Sequence, residues 1–388
     1  MPFAEDPHRA DGVCHRCFRD KVLREFITSH GVRGPCPWCG RNGVMVPLSA
    51  LSQAFRDVAE LYVPVEGPSA YREGEYLSFL LDDGWHVFDE KIQVNDLAQE
   101  LTISIIYADL RPKERSIIAD YEGFFRYSDN ELEQIWDDKS YIILENEESG
   151  SKRENIGDLG NGISDAFPDQ LRLAFEDLTT VFSVNTLLYR ARIHQDRARS
   201  DRFRLDELGA PPPDLARPGR ANRKGEPVLY LATNKSTALA EVRAWKGAAV
   251  AIADVRLRRD VCVVDLRRRR RLQSPFFVEL LKWRVELDVL LHRLAEDLSR
   301  PVMPHEEIIL YKPTQLLGEL IKDSQYDGFV FPSAMGSGGN VVLFNPADAD
   351  VVQVRYVRVS RASFFSEEMD HNELPYEEGP YDYALVPR

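Results

Sequence analysis

Four of the five cysteines of this 388-residue chain are clustered near its start. They form two CxxC pairs, Cys14 with Cys17 and Cys36 with Cys39, joined by a short segment. Two such pairs can arrange four thiolates tetrahedrally around one zinc ion. A segment of this size buries too little apolar surface to fold easily without a metal. The sequence therefore predicts a closed, structural zinc site; the alternative is a small loop domain with reduced, unliganded cysteines.

Composition limits the class of protein. A hydrophobic content of 44% and a charged content of 29% are ordinary for a soluble protein. The net charge of -14 argues against nucleic-acid binding that depends on the overall charge of the protein. No run approaches the roughly 18 apolar residues that span a membrane, and the polar N-terminus has no apolar core of a signal peptide. We therefore expect a cytoplasmic protein without a membrane partner.

The periodicity of apolar residues changes along the chain. Residues 51–62 have apolar side chains at helical spacing, and 128–136 opens with a Ser/Asp cap, so the first half is predicted to be mainly α-helical. The second half has short runs rich in Val, Ile, Phe and Tyr between helical stretches, which indicates an α+β domain around a sheet. The predicted sections are a zinc-binding knuckle (1–45), a helical regulatory domain (46–180), an α+β domain (181–360) and an acidic C-terminal tail (361–388).

Individual elements of the α+β domain can be predicted from these runs. Helices are expected at 236–246, near 275–299 and at 313–323. Strands are expected at 227–233, 248–255, 260–266, 327–332, 340–345 and 350–357.

Four residues at the ends of apolar segments have side chains that suit a ligand with a pyrophosphate and a reactive sugar, such as NAD. Arg190 can clamp a phosphate, and Glu241 can stabilise the positive charge that develops when a glycosidic bond breaks. Tyr230 can stack on a ring, and the hydroxyl of Ser333 can position a ribose. The alternatives are ordinary ones: a surface salt bridge for Arg190, a solvated helix position for Glu241 and a core aromatic for Tyr230.

Two loops add to these candidates. Arg223 lies in a turn just before the strand of Tyr230, and Gly225 in that turn allows close approach to a phosphate. Ser333 precedes a glycine-rich stretch, 334–340, that ends at Asn340, and such turns often cradle phosphate or ribose. The alternatives are a solvated loop arginine and a simple hairpin loop.

Together these segments resemble the RES domain, which is named for its Arg, Glu and Ser. The resemblance covers about 185–350, nearly half of the chain. The matching segments are TyrArgAlaArg (189–192), AsnArgLysGlyGluProValLeuTyrLeuAla (222–232), AlaLeuAlaGlu (238–241), TyrLysProThrGlnLeuLeu (311–317) and 327–344.

The resemblance implies a fold related to ADP-ribosyltransferases and an NAD-degrading toxin that is paired with an antitoxin. By position, Arg190 and Arg223 would hold the NAD phosphates, and Tyr230 would contact the nicotinamide end. Glu241 would hold the ribose and stabilise the transition state, while Ser333, with Asn340 nearby, would complete the ribose pocket. Small members of the family often have GlyGlyArg before the tyrosine strand, where this chain has AlaAsnArg (221–223).

The first half resembles the helical domain with zinc knuckles that precedes some RES domains and has been likened to HEPN proteins. HEPN nucleases use an Arg and a His on one helix. The only histidine in 48–180 is His86, and no arginine precedes it at that spacing. The sequence therefore disfavours RNase activity and favours a regulatory helical domain.

The resulting prediction is an NAD-consuming toxin or effector that cleaves the nicotinamide–ribose bond, with water or phosphate as acceptor, and with NAD and an antitoxin or immune protein as partners. Homo-oligomerisation is left open.

One alternative is an ADP-ribosyltransferase that modifies a macromolecule, for which the arginine run 267–271 could bind the acceptor. Another is a non-enzymatic zinc and helical adaptor that binds a nucleotide. A solvated turn balanced by the acidic regions is the favoured interpretation of the arginine run.

Overall fold

The chain has an α+β fold, as predicted. The computed structural model describes residues 11–65, 74–94, 96–111, 124–128, 130, 132, 134–137, 167–194, 202–268, 272–300 and 311–361. A cysteine cluster lies near the N-terminus, and a large mixed sheet forms the C-terminal part. Within the described ranges, no helix is long and apolar enough to cross a membrane.

The N-terminal segment is a small sheet beside one helix. Strands β1 (Gly12–Cys14), β2 (Val32–Pro35) and β3 (Asn42–Pro47) pair antiparallel in the order β1-β3-β2. Helix α1 (Lys21–His30) precedes β2, and the side chain of Asp20 caps it by accepting a hydrogen bond from the Leu23 amide at 2.8 Å.

The next part of the chain is mainly helical in its described residues. Its elements are α2 (Ser52–Ala59), β4 (Tyr62–Val65), α3 (Leu77–Trp85), α4 (Leu97–Tyr107) and β5 (Phe124–Tyr127). The first of these corresponds to the helix predicted at 51–62. Strands β4 and β5 pair antiparallel and were not predicted.

Several predictions in this region lie at the limits of the described residues. Residues 134–137 are helical, which agrees with the end of the helix predicted at 128–136. The loop expected at 145–154 and the acidic tail from 362 to 388 lie outside the described residues.

The C-terminal sheet has eight strands in the order β13-β9-β7-β8-β12-β11-β10-β6. All neighbours pair antiparallel except β10 and β11, which are parallel. The strands are β6 (Thr179–Phe182), β7 (Leu187–Ile193), β8 (Leu229–Ala232), β9 (Ala249–Leu257), β10 (Val261–Asp265), β11 (Gly328–Pro332), β12 (Gly339–Leu343) and β13 (Ala349–Arg358).

The helices of this part are α5 (Phe167–Asp177), α6 (Lys235–Glu241), α7 (Leu281–Ser299) and α8 (Lys312–Asp323). Each of the six predicted strands and three predicted helices has a counterpart here. Helix α6 ends five residues before the predicted end at 246, because Arg243, the residue after its C-cap, adopts a positive φ angle of 48°.

Four apolar cores lie among the described residues, and three of them are large. One face of the sheet packs Phe329, Phe331 and Val342 against α5, α7 and α8, and Val330, Val341 and Leu343 form the core on the other face. The N-terminal core surrounds the cysteines. Phe276, just before α7, and Leu281, its first residue, belong to that N-terminal core, and the Phe276 ring packs against Phe55 with ring centres 4.9 Å apart and a tilt of 39°.

Candidate active site

Helix α6 carries Glu241 as its last residue. The helix begins after Asn234, whose side chain accepts a hydrogen bond from the Thr237 amide at 2.8 Å. The Oε1 atom of Glu241 accepts two hydrogen bonds, from Ser333 Oγ at 2.6 Å and from Asn340 Nδ2 at 2.7 Å. Among the described residues nothing bonds its Oε2 atom, and the side chain is exposed to solvent. The carboxylate is therefore oriented by two partners and still open to a ligand.

The hydroxyl of Ser333 is fully used within the protein. It donates its proton to Glu241 and accepts hydrogen bonds from the amides of Met335 at 3.1 Å and Gly336 at 3.0 Å. A serine hydroxyl offers one donor and two acceptor positions, so none is left for a sugar in this arrangement. The geometry favours a Ser333 that orients Glu241, whereas the family resemblance implies direct contact with ribose.

Arg190 lies in β7; the residue as a whole is half-buried, and its Nη1 atom is shielded from solvent. Its Nη1 atom has no hydrogen-bond partner among the described residues. Burial, with a smaller contribution from the charge of Arg192, lowers the pKa of Arg190 to about 10. A buried cation without a counter-ion is costly, and it becomes favourable when an anion binds it.

Tyr230 lies in β8 and anchors the loop that precedes that strand. Its hydroxyl accepts a hydrogen bond from the Ala221 amide and donates one to Asn222 Oδ1, both at 2.9 Å. Burial raises the pKa of Tyr230, so the phenol stays protonated at neutral pH. The loop fits closely here, because a Cβ atom on Gly219 would come within 2.6 Å of the tyrosine oxygen.

The arginine of this loop that lines the cavity is Arg220. Its guanidinium lies 5.4 Å from the centre of the Tyr311 ring and donates a hydrogen bond to the carbonyl of Leu298. Arg223, the residue predicted from the sequence, is not among the cavity-lining residues and forms an ion pair with Glu319, with Nη2 donating to Oε2 at 2.8 Å. Gly219, directly before Arg220, is the sequence signal that could have pointed to the nearer arginine.

These side chains meet at one cavity of about 370 Å³. Among the described residues, three arginines, Arg190, Arg220 and Arg243, line it together with one carboxylate, Glu241, so its charge favours an anionic ligand. Tyr311 also lines the cavity and was not among the residues predicted from the sequence. Four of the residues predicted from the sequence line the cavity: Arg190, Tyr230, Glu241 and Asn340. A fifth, Ser333, donates a hydrogen bond to Glu241.

The four predicted cysteine ligands form one cluster. The Sγ atoms of Cys14 and Cys39 are 3.5 Å apart, those of Cys17 and Cys36 are 3.5 Å apart, and those of Cys14 and Cys17 are 3.9 Å apart. Tetrahedral thiolates at the usual zinc–sulfur distance are separated by about 3.8 Å, whereas a disulfide needs about 2.05 Å. The cluster can therefore hold a metal ion.

The surroundings of the cysteines support this geometry. Gly40 has a φ of 68° in the turn after Cys39, and its amide donates to the Cys36 carbonyl at 3.0 Å. His15 lies beside the cluster, but its Nδ1 atom is 3.2 Å from both the amide and the carbonyl oxygen of Val44. The four thiols thus form a candidate ligand set without a histidine.

The arginine run 267–271 is described only for its first two members. Arg267 binds the carboxylate of Asp265 with both Nε, at 2.8 Å, and Nη2, at 2.7 Å. Arg268 donates to the Thr179 carbonyl at 3.1 Å. These two arginines therefore make contacts within the fold, and 269–271 lie outside the described residues.

Comparison with known protein families finds a match in the region that builds this cavity. Residues 187–364 match the model of the RES domain. The crystal structure of the M. tuberculosis MbcT–MbcA toxin–antitoxin complex aligns with 15% sequence identity over 50% of this chain and 94% of that chain, with a TM-score of 0.28. No curated protein sequence matches this chain.

Proposed function

We propose that this chain, which carries a RES domain over residues 187–364, consumes NAD by cleaving the bond between nicotinamide and ribose. The observation that carries the proposal is the carboxylate of Glu241, held by Ser333 and Asn340 in a cavity whose other charged groups are arginines. A pyrophosphate with a cationic nicotinamide–ribose end suits this combination of charges. The family match supports NAD as the substrate.

Each charged residue has a role in the proposed reaction. Arg190 and Arg220 bind the pyrophosphate, which supplies the counter-ion that Arg190 otherwise lacks among the described residues. As the bond between nicotinamide and C1′ of the ribose breaks, its electron pair leaves with nicotinamide and positive charge develops on the sugar. The carboxylate of Glu241 stabilises that charge.

The acceptor then forms a bond to the sugar carbon. If water attacks, the products are ADP-ribose, nicotinamide and a proton; if phosphate attacks, they are a phosphorylated ADP-ribose and nicotinamide. An oxocarbenium-like state reacts with a weak nucleophile, so the reaction can proceed without a dedicated general base.

Product analysis tests the proposal directly. We expect the purified full-length chain to release nicotinamide from NAD, and separation of the products with and without added phosphate to identify the acceptor. Radiolabel from NAD that stays on protein or nucleic acid would instead support transfer to a macromolecule. NAD binding without release of nicotinamide would contradict an enzymatic function and support the nucleotide-binding adaptor.

Among the described residues the Arg190 guanidinium has no counter-ion, which leads to a prediction with opposite effects on stability and binding. We expect Arg190→Met to raise the free energy of unfolding of the ligand-free protein by roughly 1–3 kcal/mol, because it removes this cation from its shielded position. The same change should weaken NAD binding by about tenfold to a hundredfold. Urea unfolding gives the first quantity, and the shift in melting temperature on adding NAD gives the second.

The control for this substitution is Arg192→Met, two residues along the same strand. Arg192 is exposed and donates to the carbonyl of Glu207 at 2.8 Å, so its loss should leave NAD binding unchanged. An Arg190→Met protein that is less stable than the parent, and that still gains melting temperature from NAD, would show that Arg190 is a structural residue.

We further propose zinc as the metal of the cysteine cluster, since four thiolates in tetrahedral arrangement are a typical structural zinc site. Zinc would link β1, the turn after β2 and the helical core, and a site closed by four thiolates leaves no position for catalysis. The proposed zinc ion therefore stabilises the fold and takes no part in the reaction.

We also propose a protein antitoxin as partner, because an NAD-consuming enzyme depletes a cofactor that its own cell needs. Met335 lines the cavity with 42% of its side chain exposed, which offers an apolar contact at the entrance. A partner that covers this entrance should protect NAD from turnover in a mixture of the two purified proteins.

A further inference from the structure

Threonine hydroxyls hold the glycine-rich turn between β11 and β12 against helix α6 and against the residue that follows β8. The amide of Gly338 donates to Thr237 Oγ1, and the amide of Gly339 donates to Thr233 Oγ1, both at 3.0 Å. The turn is closed by a hydrogen bond from the Ser333 amide to the Gly338 carbonyl at 3.2 Å. The turn and the helix therefore form one hydrogen-bonded unit.

The contact between turn and helix leaves no room for side chains. A Cβ atom on Gly338 would come within 2.5 Å of Thr237 Oγ1, and one on Gly336 within 2.9 Å of the same oxygen. Thr237 itself has no exposed surface, and its amide donates to the helix-capping oxygen of Asn234. Glycine is required here because the backbone of the turn approaches the helix closely.

Thr237 also lies one helical turn before Glu241. The glycine turn that it holds is flanked by Ser333 and Asn340, the two residues that donate to the Glu241 carboxylate at 2.6 Å and 2.7 Å. A displacement of the turn from the helix would therefore move both donors relative to the carboxylate.

We propose that Thr237 is a positioning residue for Glu241, which rests on the proposed function of that carboxylate. Its hydroxyl fixes the turn at the distance from α6 at which Ser333 and Asn340 can orient Glu241. Without the hydroxyl, the Gly338 amide loses its acceptor, and the turn is free to shift away from the helix. A catalytic group displaced by about 1 Å costs up to roughly a hundredfold in rate.

Two substitutions separate the hydroxyl of Thr237 from its shape. Thr237→Val keeps the branched shape without the hydroxyl, and Thr237→Ser keeps the hydroxyl. We expect Thr237→Val to lower kcat for NAD by roughly tenfold to a hundredfold with less than about a twofold change in KM, and Thr237→Ser to stay within about threefold of the parent. Hydrogen exchange of the peptide that contains 333–340 should speed up in Thr237→Val alone.

The matched control is Thr102→Val in helix α4. Thr102 also has no exposed surface, and its hydroxyl donates to the Ala98 carbonyl at 2.7 Å, within the N-terminal core rather than at the cavity. This variant loses a buried hydroxyl without touching the turn, so kcat and the exchange of 333–340 should be unchanged. If Thr237→Val fails to fold, Gly336→Ala tests the same contact from the turn and should lower kcat in the same way.

The two readouts distinguish the failure of this inference from the failure of the proposed function. If the parent protein does not turn over NAD, the proposed function fails, and with it the positioning role; faster exchange in Thr237→Val would then establish only the structural contact. If the parent turns over NAD but Thr237→Val keeps both its kcat and its protection, the positioning role is overturned. An equal loss of kcat in Thr237→Ser would also overturn it, since the hydroxyl would not be the cause.

Discussion

Glu241→Gln is expected to reduce NAD turnover by about a hundredfold to a thousandfold. Glutamine keeps the length of the side chain and an oxygen that can accept hydrogen bonds from Ser333 and Asn340, but it removes the negative charge. The loss should therefore fall mainly on kcat, because the charge acts on the positive sugar of the transition state more than on bound NAD. Release of nicotinamide under saturating NAD measures the effect.

Two observations check that this loss reflects chemistry rather than folding. Glu241 is exposed, so the substitution should change the free energy of unfolding by less than about 0.5 kcal/mol. Glu176→Gln, at an exposed position of α5, is the matched control and should keep full turnover. A Glu241→Gln protein with more than half of the parent's kcat would rule out the carboxylate as the group that stabilises the transition state.

Patterns that are local in sequence predicted most of the fold. The spacing of Cys14, Cys17, Cys36 and Cys39 predicted a four-thiol cluster, and the structure brings these sulfur atoms together. Runs of β-branched and aromatic residues predicted six strands of the large sheet. Strand β6 escaped prediction because it is a four-residue edge strand, Thr179–Phe182, in which two of the residues are threonine.

The composition of the cavity depended on contacts that the sequence does not reveal. The conformation of the loop that precedes β8 determines that Arg220, and not Arg223, lines the cavity. The buried side chain of Asn222 stabilises this conformation. That side chain donates to the carbonyls of Arg217, Arg223 and Glu226 at 2.9–3.0 Å. Three acceptors on one amide define a compact turn, and spacing along the chain cannot predict which arginine then faces the cavity.

The link between the two halves of the chain was also hidden in the sequence. Helix α7 begins in the N-terminal core at Leu281 and ends at the cavity, where Ser299 is a lining residue and the Leu298 carbonyl accepts from Arg220. Its apolar spacing predicted a long helix but not the partners at its two ends. The section boundaries predicted from composition remain predictions, because this helix contacts both parts.

Removal of the proposed zinc ion is expected to unfold the N-terminal core. Cys14, Cys17 and Cys36 are buried in the same core as Phe18, Leu23 and Ile27, so an ion bound by the cysteines would stabilise the same apolar packing. A structural zinc site contributes roughly 10 kcal/mol or more of binding free energy, comparable to the whole stability of a typical domain. Cys36→Ser should therefore reduce the zinc content from about one per chain to nearly none and abolish the cooperative melting of this core.

The matched control is Cys262→Ser, which changes the one remaining cysteine, a half-buried residue of β10 outside the cluster. It should keep the zinc content and the melting of the parent. Because Phe276 and Leu281 pack in the N-terminal core, loss of the metal should also loosen the start of α7. A displaced α7 would in turn shift Arg220, which donates a hydrogen bond to the Leu298 carbonyl near the other end of this helix. The KM for NAD should then rise in Cys36→Ser; an unchanged KM with an unfolded N-terminal core would mean that the C-terminal part keeps its cavity on its own.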